Sequence, residues 1–253
     1  MTIRFSIITC TWNSERYLAA TIASVLSQDY QNFEYIFVDG GSTDSTLTQI
    51  AAIKRPVRVL NDVRGGITRA LNEGIKAATG DVVAHIHSDD YYLKSDVLSR
   101  VAHAFENSDC DWLIGRSVSD IDGQLVPEGY TPPPYSYSAL LRGNFVPHAA
   151  TFVRRGVFQR FGMFDERYRL AMDYEMWLRI GEVCTPISVS EPLAAFRRHV
   201  GSATQANRLA SLNEDFKARF SYAPLSRYPE FVLRYAVRRF RLFAELNASE
   251  RPK

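Results

Sequence analysis

The 253-residue sequence is short of the features that announce a function outright. Its three cysteines, Cys10, Cys110 and Cys184, are far apart and odd in number. They make neither a disulfide framework nor a thiolate metal site, which points to a reducing compartment with each cysteine a small core residue. No apolar stretch approaches the roughly 18 residues of a membrane-spanning helix. The opening "MTIRFSIITC" goes straight into a strand-like run, without the basic, apolar and small-residue order of a secretion signal. The expectation is a cytoplasmic protein. A formal charge of +2 is too small to imply a nucleic-acid partner. After the first strand stands "TCTWNSER", with no glycine, and no Walker lysine motif occurs, which argues against dinucleotide redox and P-loop chemistry. None of the five histidines has H-E-x-x-H spacing.

What is present is alternation. Strand-like runs at 4–10, 33–41, 57–60, 81–87 and 111–118 are separated by segments with helical period at 14–28, 42–53, 66–78 and 94–105. Ser14 stands where the cap of the first helix belongs, and Asp122-Gly123 reads as a hairpin turn. Strands alternating with helices of this length predict an α/β fold with a mostly parallel sheet. In such sheets ligands bind outside the carboxyl ends of the strands. The second half is less regular. Segment 129–144 is rich in proline and tyrosine and reads as an ordered loop over the site. A strand is expected at 146–155, a short helix after it, a helix at 171–183, and one or two strands in 187–204.

Two of the strands end in aspartate, where a ligand-binding carboxylate is expected. "HSDD" (87–90) offers hard oxygen ligands of the kind Mg²⁺ or Mn²⁺ accepts from a protein while keeping waters and substrate phosphates. The same residues would also make a solvated turn and helix cap. "VDGGSTDST" (38–46) puts Asp39 beside two glycines, suited to close approach of a nucleoside or to a plain tight turn. In "AMDYEMW" (171–177), Asp173 and Glu175 are either general bases or acids that complement a helix N-terminus. Arg197, Arg198 and His199 could face an anionic diphosphate.

Taken in order, "FSIITCTWNSERYLAATIASVLSQDYQNFEYIFVDGGSTDST", "NEGIKAATGDVVAHIHSDD" and "FGMFDERYRLAMDYEMWLR" resemble the family 2 glycosyltransferases over roughly residues 4–204. The resemblance implies a GT-A fold, a Rossmann-like, mostly parallel sheet flanked by helices, and an inverting enzyme that uses a nucleotide-activated sugar. It implies that Thr11 and Glu15 lie beside the nucleoside and that Asp39 contacts the base. It assigns Asp90 to a divalent metal, Mn²⁺ or Mg²⁺, and Asp89 to ribose or diphosphate. Asp173 matches the catalytic base, and His199 a loop that closes over the diphosphate. The usual proline of the first loop is replaced by Cys10, the acidic motif begins with Ser88, and Met172 stands where an acid often precedes the base. The Gln-x-x-Arg-Trp signature of processive synthases is absent, which implies transfer of a single sugar.

The expected organisation is a catalytic domain over 1–205 and a basic helical extension over 206–253. Residues 227–253 hold seven basic and three acidic residues, leaving about −2 for the rest. In "FVLRYAVRRFRLFAELN" arginines alternate with aromatics, as in a helix lying on an anionic membrane surface or one packed on the catalytic domain. The resulting expectation is transfer from a UDP- or GDP-sugar to a glycan or lipid-linked acceptor in polysaccharide or cell-surface glycan biosynthesis, with peripheral contact at the inner membrane face. A nucleotidyltransferase of similar sheet and a non-catalytic sugar-nucleotide-binding module are the alternatives.

Overall fold

A computed structural model of the chain describes residues 2–127, 132–199, 201–202 and 207–249. The first half runs β1 (Phe5–Thr11), α1 (Leu18–Leu26), β2 (Phe33–Asp39), α2 (Thr46–Ala51), β3 (Arg58–Leu60), α3 (Ile67–Ala77), β4 (Val82–His85), β5 (Tyr91–Tyr92) and α4 (Val97–Glu106). The second runs β6 (Trp112–Ile121), β7 (Gln124–Pro127), α5 (Tyr137–Arg142), β8 (Thr151–Arg154), α6 (Arg155–Phe161), α7 (Met172–Gly181), β9 (Ile187–Arg198), α8 (Arg208–Tyr222) and α9 (Tyr228–Ser249).

Among the described residues the strands form one nine-stranded sheet in the order β3-β2-β1-β4-β8-β6-β9-β5, with β7 paired to β6. The β3-β2-β1-β4 half is parallel. Antiparallel β8 then joins β4 to β6, and β9 runs parallel to β6. The alternation predicts a parallel sheet, which the first half is, and the mixed, mostly parallel sheet flanked by helices is the one the family resemblance implies. β1, β2 and β4 are buried along nearly their whole length. Helices cover both faces, which is why these strands read as continuous apolar runs. One core places Ile8, Ile36 and Val83 against Leu71 and Ile75 of α3 and Trp177 of α7. The other places Phe5, Ile7 and Phe37 against Leu18 of α1 and Val101 of α4.

Local details follow side-chain chemistry. Asp122 and Gly123 both take positive φ in the two-residue turn between β6 and β7, matching the expected hairpin. The first helix begins at Leu18, four residues after the Ser14 cap that the sequence suggests. The Ser14 hydroxyl is already engaged, accepting the Trp12 amide and bonding Ser88 Oγ, so 14–17 forms a turn instead. Segment 129–144 contains α5, capped by Ser136, which its proline and tyrosine content hides; 128–131 lie outside the described residues. The expected division at 205/206 also lies outside them.

α8 and α9 bury Ala218 and Phe231 in the same core as α7. Glu214 Oε2 of α8 accepts the amides of Arg169, Leu170 and Ala171 at 2.9, 2.7 and 3.0 Å, the three residues that lead into α7. No helix among the described residues is long and apolar enough to cross a membrane.

Close packing of α3 on the sheet depends on Gly74, where a Cβ would lie 2.6 Å from Ile8 Cγ2. Gly74→Val should lower stability by about 2 kcal/mol, as overpacking of a tight core does. A lower urea midpoint at unchanged m would show it, and an unchanged midpoint would contradict the packing.

Candidate functional site

A cleft of ≈ 1610 Å³ opens at the carboxyl ends of β1, β2 and β4. It exceeds the about 300–1,000 Å³ of most small-molecule pockets. Thr11, Trp12, Asp89, Asp90 and Asp173 line it. Asp39, Glu15 and His199 are not in that lining, though Asp39 bonds Thr11 and His199 bonds Asp89.

The parallel register sets Thr11 directly beside Asp39. Asp39 Oδ2 accepts the Thr11 and Ser42 hydroxyls at 2.8 and 2.6 Å, and Oδ1 accepts the Gly41 and Ser42 amides at 2.9 and 2.8 Å. Burial pushes its pKa up, but these four bonds outweigh it and hold the carboxyl below its usual range. Asp39 therefore ties the ends of β1 and β2 together as a carboxylate. Glu15 is exposed, and its Oε2 accepts the Ser45 amide and hydroxyl at the start of α2. Between these braces Trp12 stands 69% exposed on the cleft wall, an open ring face for a planar ligand. Sequence reasoning had not singled it out.

The acidic pair lies in the turn between β4 and β5, directly before Tyr91. Asp90 is 1% exposed and its Oδ1 accepts the Arg197 amide at 3.1 Å. Burial, and then the charge of Asp89, push its pKa well above the ordinary value, against the Arg197 amide and guanidinium. The Arg197 guanidinium is itself paired with Asp120 at 3.1 Å and stacked over Tyr17 and Tyr91. Asp89 Oδ2 meets His199 Nε2 at 2.9 Å. β5, immediately after the pair, is hydrogen-bonded to β9, and this brings Arg197 and His199 over the two acids. Asp89 and Asp90 thus line the cleft as adjacent acids, the second deeply buried. Among the described residues no three His, Cys, Asp or Glu gather as a cage. One or two hard oxygens beside open space fit a magnesium- or manganese-like ion that also takes phosphate oxygens and water.

Asp173 lines another part of the cleft, in the first turn of α7. Its Oδ1 accepts the Tyr174 amide at 2.7 Å and its Oδ2 lies 3.4 Å from Asn144 Nδ2. Burial raises its pKa to about 7, with the charge of Asp215 adding to the rise against those hydrogen bonds. A carboxylate that titrates near neutrality is suited to accept a proton. Asp215, on α8, is itself raised to about 6 by burial, against Arg219 and Arg238. Arg169 and Arg238 line the cleft too, the second from α9. Segment 206–253, expected as an extension, therefore supplies Glu214, Asp215 and Arg238 to the surroundings of Asp173. No local motif marks these residues.

A sequence profile described as "Glycosyl transferase family 2" matches residues 6–162. A PGL/p-HBAD biosynthesis glycosyltransferase of Mycobacterium bovis is 34% identical over 186 residues, 69% of this chain and 68% of that protein. Staphylococcus aureus TarS 1–349 in complex with UDP-GlcNAc superposes with a TM-score of 0.71 at 22% identity, over 85% of this chain and 64% of that one. A mannosyltransferase from Pyrobaculum calidifontis with GDP-Man and Mn²⁺ superposes with a TM-score of 0.67 at 17% identity, over 93% and 70%. At these identities the two structures show a shared fold.

The raised pKa of Asp173 has a consequence for stability. A folded state that holds this proton more tightly than the unfolded chain loses stability as pH climbs from near 4 through about 7. Asp173→Asn removes that loss. Its Tm should exceed the wild-type value at pH 8, with the gap closing toward pH 4; equal Tm values throughout would contradict the burial of this carboxylate.

Proposed function

The chain belongs to glycosyl transferase family 2 and is a glycosyltransferase, and from that premise we propose that it moves one sugar from a UDP- or GDP-sugar to a hydroxyl of a glycan or lipid-linked acceptor, with inversion. The observation that carries this reading is the gathering of Asp89, Asp90 and Asp173 on the lining of one cleft. The binding of UDP-GlcNAc by one structural neighbour and of GDP-Man with Mn²⁺ by another supports the donor class.

In this reading Trp12 and Thr11 receive the nucleoside, while Asp39 and Glu15 keep that wall in shape. Asp90 is the metal ligand, and Asp89, held by His199, faces ribose and diphosphate. A divalent ion bound there would supply Lewis-acid stabilisation for the leaving diphosphate. Asp173 accepts the proton of the acceptor hydroxyl as the hydroxyl oxygen bonds to C1. The bond from C1 to the phosphate oxygen breaks, and the nucleoside diphosphate leaves with that electron pair. Attack from the face opposite the leaving group turns an α-linked donor into a β-linked product.

α9 supports the membrane part of the reading. Leu233 and Phe240 are 66% and 76% exposed, Val237 and Phe243 are also exposed, and arginines flank them. We place this face on an anionic bilayer at the inner side of a membrane, next to the acceptor end of the cleft that Arg238 lines. Vesicles containing phosphatidylglycerol should sediment the wild-type protein and release most of it when Leu233 and Phe240 are both changed to Glu. Equal sedimentation of the two proteins would remove the membrane contact.

With water in place of the acceptor, the sugar first released from an α-linked UDP- or GDP-sugar should be the β-anomer by NMR, before mutarotation. Asp173→Asn should slow that release by ~10²-fold or more, the usual worth of a general base. An α-anomer, or undiminished turnover in Asp173→Asn, would contradict the assignment.

A further inference from the structure

A chain of three histidines packs at the cleft. His85, on β4, has its ring centroid 5.1 Å from that of His148. His87, three residues before Asp90, stacks on the other side of His148 at 4.8 Å and 20°. Phe164 and Trp177 complete the enclosure at 5.9 and 6.0 Å. His148 lines the cleft with a side chain only 9% exposed, yet neither ring nitrogen has a hydrogen-bond partner. Its Nδ1 points toward Asp173 Oδ2, 4.0 Å away.

Unpartnered nitrogens on a buried ring are rare, because burial leaves them without the water they had. Both His148 and Asp173 line the cleft, where a substrate hydroxyl or water would enter. Burial, followed by the neighbouring His87 and His85, keeps the His148 pKa well below the ordinary value, so the ring is neutral. A neutral ring has one N–H to give and one lone pair. Hydrogen bonds of catalytic groups are often long before substrate binds and close only in the reacting complex.

We propose that His148 is the positioning residue of Asp173: its Nδ1–H hydrogen-bonds Oδ2 once a hydroxyl or water is in place, and aims the carboxylate at that hydroxyl. This rests on Asp173 being the base. The four flanking rings hold the imidazole at one angle, so the carboxylate moves to the ring. With Tyr174 donating to Oδ1 and His148 to Oδ2, the carboxylate is fixed from both sides. The groups acting on its charge include the Tyr174 amide, Asn144 and Asp215, and Asp215 is itself acted on by Arg219 and Arg238 from α8 and α9.

The test uses the full chain and hydrolysis of UDP-GlcNAc or GDP-mannose, followed as nucleoside diphosphate release. His148→Phe fills the space without a donor. Its kcat should fall on the order of 10²-fold, as small misplacements of a catalytic group cause. Donor KM should stay unchanged, and the acidic limb of the pH profile should move up by about one pH unit, because the carboxylate has lost a donor. His148→Asn keeps an N–H near the Nδ1 position and should recover most of the loss and the original limb. Equal losses in both variants, with the limb unmoved, would reduce His148 to packing and overturn the proposal. So would an unchanged kcat in His148→Phe. A measurement on folded protein stands beside these: with UDP or GDP bound, Asp173→Asn should shift the imidazole nitrogen resonances of His148, and unshifted resonances would overturn the proposal. Retained turnover in Asp173→Asn would instead overturn the base assignment itself.

Discussion

The site depends on how the carboxyl end of β9 is laid over the end of β4. Asp89 and Asp90 are adjacent like charges, and Asp90 is almost wholly buried. In an apolar interior that pair would be strongly unfavourable. The Arg197 amide on Asp90 and the His199 ring on Asp89 make it tolerable. Everything that brings β9 there serves this contact. The β5–β9 pairing fixes the residues just after the acids, and the irregular register between β6 and β9 near Arg116 lets the strand arrive at the right point. Arg197 is anchored by Asp120 and two tyrosine rings, so its backbone amide stays in place.

The surroundings of Asp173 are built differently. Asp173 sits on a helix whose approach is held by Glu214, through three amides, and whose body is held by the Glu175–Arg179 pair and Tyr222. Both Glu214 and Tyr222 belong to α8. Asp90 and Asp173 are both raised first by burial, and they differ in the groups around them. Asp90 is raised by burial and a neighbouring acid, a state that a cation would reverse. Asp173 is raised by burial and a more distant acid, a state suited to holding and releasing a proton near neutral pH.

The parts of this arrangement legible in the sequence are those made by neighbours in the chain. Strands that end in Asp39 and Asp89–Asp90 announce themselves, because period, burial and terminal acid fall within a few residues of each other. The Thr11–Asp39 bond follows once the parallel register is known. The rest depends on contacts between distant residues. Glu214 meets 169–171, Asp215 acts on Asp173, and Arg238 reaches the cleft from the last helix, none of them through a local pattern. His148 lies in "VPHAATFVRR", which reads as an ordinary strand; only the packing of β4 and α7 shows its ring enclosed and unpartnered. Ser14 misleads as a helix cap because its hydroxyl is drawn into the loop toward Ser88.

The central claim is that the acidic pair is a nucleotide and metal site. Calorimetric titration of UDP and of GDP, each with and without Mn²⁺, on the wild-type protein and on Asp90→Ala tests it most directly. The account predicts that one of the two nucleotides binds, that Mn²⁺ strengthens its binding, and that Asp90→Ala loses the metal dependence. Failure of the wild-type protein to bind either nucleotide under any metal condition, or metal-dependent binding that survives in Asp90→Ala, would contradict it.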